Sequence, residues 1–95
     1  MRVVLSTDVR DMFVDADGTA AVLIRSRVLA LPALSAAVLA AVADRGTEGA
    51  DPVQLWGEVR PAVVDPPDEV TGQGVIAELI DRFVAEGLVR WMATE

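Results

Sequence analysis

The sequence predicts a small α+β protein in which three antiparallel strands come first and three helices follow. Apolar and polar residues alternate with a period of two over Asp11–Ala16, which is typical of a half-buried strand. Asp17-Gly18 is a strong hairpin signal, because a type I′ turn needs positive φ at both central residues. The Ala- and Val-rich stretch from Ala33 to Asp44 has the composition of a buried helix.

Composition narrows the possible functions. The chain has 95 residues, which suits one domain, and 53% of them are apolar, which argues against disorder. It contains no Cys and no His, which excludes disulfides and thiolate metal sites and removes the commonest general base. We therefore predict a binding protein rather than an enzyme, with no catalytic residue, no metal and no cofactor. The formal net charge of −7 counts against binding to nucleic acid.

Residues 1–10 are predicted to be a lead-in to a single domain over residues 11–92. The N-terminal apolar run is too short for a signal peptide. The uncharged span Val28 to Ala43 is broken by Pro32 and falls short of the ~20 apolar residues that a membrane span needs. We therefore expect a cytoplasmic protein without a membrane partner.

The second predicted strand runs from Thr19 to about Ile24, and the third runs from Arg27 to Leu31. Both are apolar runs of strand length that lie next to polar turn segments. The Arg25-Ser26 turn between them lacks Gly, Asn and Asp. Turn chemistry therefore does not define their register.

The first two helices have clear boundary signals. The first is predicted over about Ala33 to Asp44. The second begins after Asp51, a good N-cap residue, and has Pro52 at its first helical position. Pro61 ends or kinks this second helix, because a proline restricts the residue before it.

The third helix is predicted over Gln73 to Glu86. Gly72 and Gly74 each cost ~1 kcal/mol in a helix interior, so the helix is expected to begin near Gln73. Gly87 suits the residue after a helix end, and Leu88 can make the hydrophobic contact of a Schellman cap.

Apolar residues spread over roughly half the circumference of this third helix, which is wider than the ~100° stripe of an ordinary amphipathic helix. In one interpretation a small core wraps the helix from both sides. In the other, one edge of the stripe is left as a groove. The residues concerned are Val75, Ile76, Leu79, Ile80, Phe83 and Val84.

Three arginines are candidates for holding an acidic ligand. Arg25 and Arg27 flank the turn before the third strand, and Arg82 lies near the polar edge of the third helix. Each is also consistent with an ordinary solvated surface. Together they are suited to bind the carboxylates of a peptide by bidentate hydrogen bonds.

The order of elements and three segments resemble the PqqD-like peptide chaperones, which carry the RiPP recognition element of ribosomal peptide natural-product pathways. The segments are the strand pair Thr19 to Leu31, the helix entry Leu31 to Ala37 and the terminal Ala85 to Val89. The resemblance covers roughly Asp11 to Trp91. It implies a winged helix-turn-helix-like fold in which a three-stranded antiparallel N-terminal sheet is followed by a three-helix bundle.

The resemblance also implies a function. A stand-alone domain of this kind binds the leader of a precursor peptide as an added strand and presents the precursor to a separate leader peptidase, cyclase or radical SAM enzyme. The chain is most similar to the stand-alone partner of the leader peptidase in lasso-peptide pathways, and a pyrroloquinoline quinone or mycofactocin type of pathway is the alternative. Carried over by position, the peptide-binding residues are Arg25, Arg27, Val28, Leu29, Ala30, Leu31, Val75, Ile76, Leu79, Ile80, Arg82 and Phe83.

Two other functions stay open. A winged-helix DNA-binding regulator needs a basic face, but the third helix carries three acidic residues, Glu78, Asp81 and Glu86, against the single Arg82. A module that docks a folded partner through the same apolar edge is the second. The chain is expected to be a monomer or a homodimer, because an uncovered strand edge can pair with a second copy.

Overall fold

Residues 2–92 are described by a computed structural model, in which an antiparallel meander precedes three helices. The strands are β1 (Val3–Leu5), β2 (Val9–Val14), β3 (Ala20–Ile24), β4 (Arg27–Leu31) and β5 (Val89–Trp91). The helices are α1 (Ala33–Asp44), α2 (Pro52–Val59) and α3 (Glu69–Glu86). The predicted α+β class, with an antiparallel sheet and three helices, is confirmed.

The meander is a three-stranded sheet in the order β2-β3-β4, so β3 is central and β4 lies at an edge. Ala20, Val22 and Ile24 of β3 point to the inner face and are buried in the core. Apolar alternation identified the first strand of the meander, but that strand covers Val9–Val14 rather than Asp11–Ala16.

The turns of the meander differ from the sequence prediction. The Asp15 N–H donates to the Thr19 carbonyl at 2.8 Å, and the Gly18 N–H donates to the Asp15 carbonyl at 3.0 Å. Gly18 has a positive φ of 89°, whereas Asp17 does not. The turn is therefore a longer type I turn with glycine in the bulge position, not the predicted type I′ turn.

Residues 3–5, which were expected to belong to a lead-in, instead form β1 and pair with β5. Val3 is fully buried, and its N–H and carbonyl bond to the backbone of Ala50 at 2.9 and 2.8 Å. The lead-in prediction was wrong because a three-residue run is too short to show a periodicity. The partner strand also lies at the far end of the sequence.

The boundaries predicted for α1 and for the start of α2 are confirmed. The helix α1 covers Ala33–Asp44, and α2 begins at Pro52 with the Asp51 carboxylate accepting a hydrogen bond from the Val53 N–H at 3.0 Å. After α2 the chain makes a short 3-10 turn at Arg60–Ala62, which contains Pro61.

The helix α3 begins four residues earlier than predicted. The Asp68 carboxylate caps it by accepting from the Thr71 N–H at 2.8 Å. Gly72 is buried against the Trp56 ring, where a Cβ would lie 2.1 Å from Cε2, so this glycine permits close approach of α2 and α3. The predicted Schellman end is confirmed: Gly87 has a φ of 80°, and the Leu88 N–H donates to the Phe83 carbonyl at 2.8 Å.

Two carboxyl groups, one in a helix cap and one in a turn, make the free energy of unfolding depend on pH in the acid range. The backbone hydrogen bond from Thr71 lowers the pKa of Asp68 below its ordinary value of 3.8. The hydroxyl of Thr19 lowers the pKa of Asp17 in the same way. A carboxyl whose pKa is lower in the folded state stabilises the fold above its unfolded pKa, and this contribution is lost as pH falls through the folded pKa.

We therefore expect the urea midpoint of unfolding to decrease as pH falls below 3.8. The variant Asp68→Asn keeps an N-capping oxygen but cannot titrate, so its midpoint should decrease less over the same range. Urea unfolding followed by circular dichroism across this range tests the expectation. Identical pH profiles for the two proteins would contradict it.

Candidate peptide-binding edge

The strand β4 presents an unpaired backbone edge. Ile24 lies opposite Arg27 across the short turn, and such a closing pair exchanges both of its hydrogen bonds. Antiparallel pairs alternate, so Leu29 and Leu31 also bond to β3, while the N–H and carbonyl groups of Val28 and Ala30 point away from the sheet. Among residues 2–92, backbone hydrogen bonds outside the helices and sheets do not involve Val28 or Ala30.

The opposite edge of the sheet, on β2, is less suited to accept a strand. Its pairing with β3 shifts register between Val9 and Asp11, which is the mark of a bulge. The Met12 N–H on this edge already donates to the Asp11 carboxylate at 2.8 Å. Bulges and charged side chains are common protections against edge pairing. The regular, mostly apolar β4 lacks both protections beyond its first residue, Arg27.

The side chains of β4 divide between two faces. Leu29 is half-buried and Leu31 is only 8% exposed, and both pack toward the core. Val28, at 66% exposure, and Ala30 lie on the outer face. Across the sheet, Val28 pairs with Leu23 and Ala30 pairs with Ala21. Phe13 of β2, at 62% exposure, lies opposite Ala21. The outer face of the sheet is therefore apolar and open to solvent.

Three of the five apolar side chains predicted to form a groove wall on α3 belong to the core instead. Ile76 and Ile80 are fully buried and Phe83 is 1% exposed, in one cluster with the inner face of the sheet. The prediction that these three side chains face an open groove was wrong, because they are buried in the shared core, where α3 packs mainly on α2 and β5. Val75 and Leu79 are half-buried and keep accessible surface.

The C-terminal end of α3 lies beside the start of β4. A Cβ at Gly87 would be 3.9 Å from Cδ1 of Ile24, and Ile24 pairs with Arg27. The helix itself packs mainly on α2 and β5. The last turns of α3, which carry Arg82, are thus at the same end of the molecule as the β3–β4 turn.

The predicted trio of arginines divides into one engaged and two available side chains. Arg25 donates to the Asp8 carboxylate from Nη2 at 2.9 Å and from Nε at 3.3 Å, and its N–H donates to the Asp8 carbonyl at 3.1 Å. This contact fixes a turn in which Arg25 has a φ of 55°. Arg27 and Arg82 are exposed and take part in neither of the ion pairs found within residues 2–92.

Sequence reasoning missed Asp8, the partner that engages Arg25. Asp8 precedes β2, and only the register of β2 against β3 brings it to the Arg25 turn, so no local signal identifies it. Two further classes of site are not found: residues 2–92 contain no acidic cluster arranged to hold a metal ion and no helix long and apolar enough to cross a membrane.

Comparisons with protein-family models, curated proteins and solved structures found no match to this chain.

Proposed function

We propose that this chain binds an extended peptide, the leader of a ribosomally synthesised natural-product precursor, by strand addition at β4. The unpaired outer edge of β4, with the backbone groups of Val28 and Ala30 facing solvent, is the observation that carries the proposal. The order of a three-stranded meander followed by three helices supports the winged helix-turn-helix-like arrangement of the PqqD-like family as part of the same proposal.

The bound leader would form a fourth strand of the sheet. Its backbone would pair with Val28 and Ala30, which supplies affinity, and its alternate side chains would supply specificity. Side chains on the inner side would meet the half-buried Leu29 and Leu79, and those on the outer side would extend the apolar row that contains Val28. The exposed guanidinium groups of Arg27 and Arg82 suit a leader with carboxylates near this segment.

In this proposal the chain is a binding protein without catalysis, which agrees with its lack of His and Cys. It would present the bound precursor to a separate leader peptidase, cyclase or radical SAM enzyme. This would take place in the cytoplasm, where ribosomes make the precursor. The proposal does not include nucleic acid, because Glu78, Asp81 and Glu86 are exposed on α3 together with a single Arg82.

The proposal can be tested by removing one backbone N–H from the unpaired edge of β4. Ala30→Pro deletes a backbone donor that β3 does not use, so we expect the fold to tolerate it, as edge strands tolerate proline. Leader affinity should fall by about tenfold or more, equivalent to ~1.4 kcal/mol, because the ring also occupies the edge. Ala30→Val keeps the N–H at the same position and should bind within about threefold of the original chain.

The measurement is fluorescence polarisation with labelled leader segments from short open reading frames encoded beside this gene. Circular dichroism confirms that both variants are folded. Equal binding by Ala30→Pro would place the peptide elsewhere on the molecule. Failure of the folded original chain to bind any neighbouring leader would overturn leader recognition and favour the docking of a folded partner, for which the exposed Phe13 and Val28 are available.

A further inference from the structure

A second concave surface lies along α1, and none of its lining residues belongs to β4 or α3. It consists of two adjoining cavities of about 500 and 450 Å³ that share Ala37, Ala40, Val59 and Ala62. The first cavity extends to the β2–β3 turn at Asp17, and the second extends to Asp44 at the end of α1. We call this surface the α1–α2 groove.

The α1–α2 groove is apolar and open. Its floor is alanine from α1, whose short side chains leave space beside the end of α2. Its walls include Val14 and Val64, which are 57% and 88% exposed. Each cavity has a volume within the ~300–1,000 Å³ typical of ligand sites. The groove therefore has space and apolar surface that residues 2–92 leave uncovered.

The shape of the groove favours a helix over an extended strand. It follows α1, which is 12 residues long and spans about 18 Å, or three helical turns. The backbone groups of α1 are largely occupied within the helix, so an extended peptide would find few main-chain partners here. An amphipathic helix instead binds a groove through apolar side chains spaced by three and four residues.

The charged residues that line the groove indicate which charge a partner should carry. The carboxylates that line it are Asp17 at one end and Asp44 and Glu58 at the other. Arg45, the basic residue of the second cavity, is paired with Glu58. Asp17 is ionised at neutral pH because the ordinary pKa of an Asp carboxyl, 3.8, is far below 7, and the hydrogen bonds from Thr19 lower this pKa further. A partner with basic residues beside its apolar stripe complements these groups.

We infer that the α1–α2 groove docks a basic amphipathic helix of a partner protein, about three turns long, at a site separate from the β4 edge. The helix lays its apolar side chains over Ala37 and Ala40 and places cationic side chains near Asp17 and Asp44. This docking does not depend on leader binding at β4. If the proposed function holds, the partner is the processing enzyme, and one chain holds the leader and that enzyme at the same time.

The probe for this inference is a synthetic helix of about 14 residues with leucine at helical spacing and lysine elsewhere. Adding it to the isotope-labelled chain should shift the NMR amide signals of α1 and of the segment from Val59 to Val64. A peptide with glutamate in place of lysine should bind at least about tenfold more weakly, because the groove is acidic.

Two substitutions in the groove have a matched control. Ala40→Leu fills the space shared by the cavities and should weaken probe binding about tenfold or more, whereas Ala85→Leu on the exposed side of α3 should leave it within about twofold. Asp17→Asn keeps a turn acceptor but removes the charge, so binding should weaken about two- to fivefold, with the difference lost at high salt. Leader binding by Ala40→Leu should be unchanged, which separates the two proposals.

Several results would overturn the inference. Shifts confined to β4 and α3, equal binding of the glutamate peptide, or no effect of Ala40→Leu would each do so. Groove signals that change with protein concentration alone would assign the surface to a second copy of the chain. Saturation by the apolar dye ANS without any response to the lysine peptide would assign it to a small apolar ligand.

Discussion

Replacing Gly72 with alanine is expected to destabilise the fold by about 1–3 kcal/mol, because it overpacks a filled interface. The same change at Gly74, two residues further along α3, is expected to stabilise the fold by about 0.5–1 kcal/mol. Both substitutions restrict the unfolded chain equally, so the difference between them reports on the folded state alone.

The opposite signs follow from what a Cβ would meet. At Gly72 it would lie 2.1 Å from Cε2 of Trp56, far inside van der Waals contact, and the Trp56 ring is only 3% exposed. At Gly74 a Cβ would have no atom within 4 Å beyond its chain neighbours and the adjacent backbone of its own helix. The Trp56 indole Nε1 has no hydrogen-bond partner within residues 2–92, so packing positions the ring and the added methyl group acts directly on that packing.

Thermal unfolding of the two variants and the original chain checks this expectation. A change of 1 kcal/mol moves the melting temperature of a domain this size by about 4–8 °C, so the two variants should be clearly separated. Equal stabilisation by both would mean that α2 and α3 do not approach each other closely at Gly72.

Replacing Ile80 with alanine is expected to cost about 2–5 kcal/mol of folding free energy. The side chain is fully buried in the cluster with Phe83, so its removal leaves a cavity in the core. The neighbouring half-buried Leu79 is the matched comparison, and Leu79→Ala should cost about 1 kcal/mol. If Ile80 were instead part of an open groove wall, the two costs would be similar and small.

The same two substitutions should affect leader affinity in the opposite order. Measured at a temperature where both variants are folded, binding should weaken for Leu79→Ala, whose side chain keeps accessible surface, and change little for Ile80→Ala. Urea unfolding gives the stabilities, and fluorescence polarisation gives the affinities. An Ile80→Ala protein that is stable but fails to bind the leader would restore Ile80 to the groove.

The sequence predicts those parts of the fold that depend on local chemistry. The Asp51 cap, Pro52 at the first helical position and the Gly87 end of α3 are recognisable because each acts on its own backbone neighbours. The start of α3 was misplaced because the reason for Gly72 is a tertiary contact with Trp56. The intrinsic cost of a glycine in a helix gives no sign of that contact.

The features of the candidate site also fall into those that local sequence predicts and those that depend on tertiary contacts. The β4 segment could be predicted because a short apolar run before a helix is a local pattern, and its edge position follows from the order of the strands. The burial of Ile76, Ile80 and Phe83 could not be predicted, because periodicity shows that a helix face is apolar but not which part of that face the rest of the core covers. The engagement of Arg25 by Asp8 depends in the same manner on strand register.

The pairing of β1 with β5 has a consequence for the order in which the chain folds. Val3 lies opposite Trp91, so the first and last strands meet only after almost the whole chain has been brought together. The meander from β2 to β4 closes through short hairpins, so its loop-closure entropy cost is small. The β1–β5 ladder closes the longest loop and has the largest cost. We expect the meander to form early and the β1–β5 ladder last, so that in a chain still leaving the ribosome Val3 cannot pair with Trp91 until β5 has emerged.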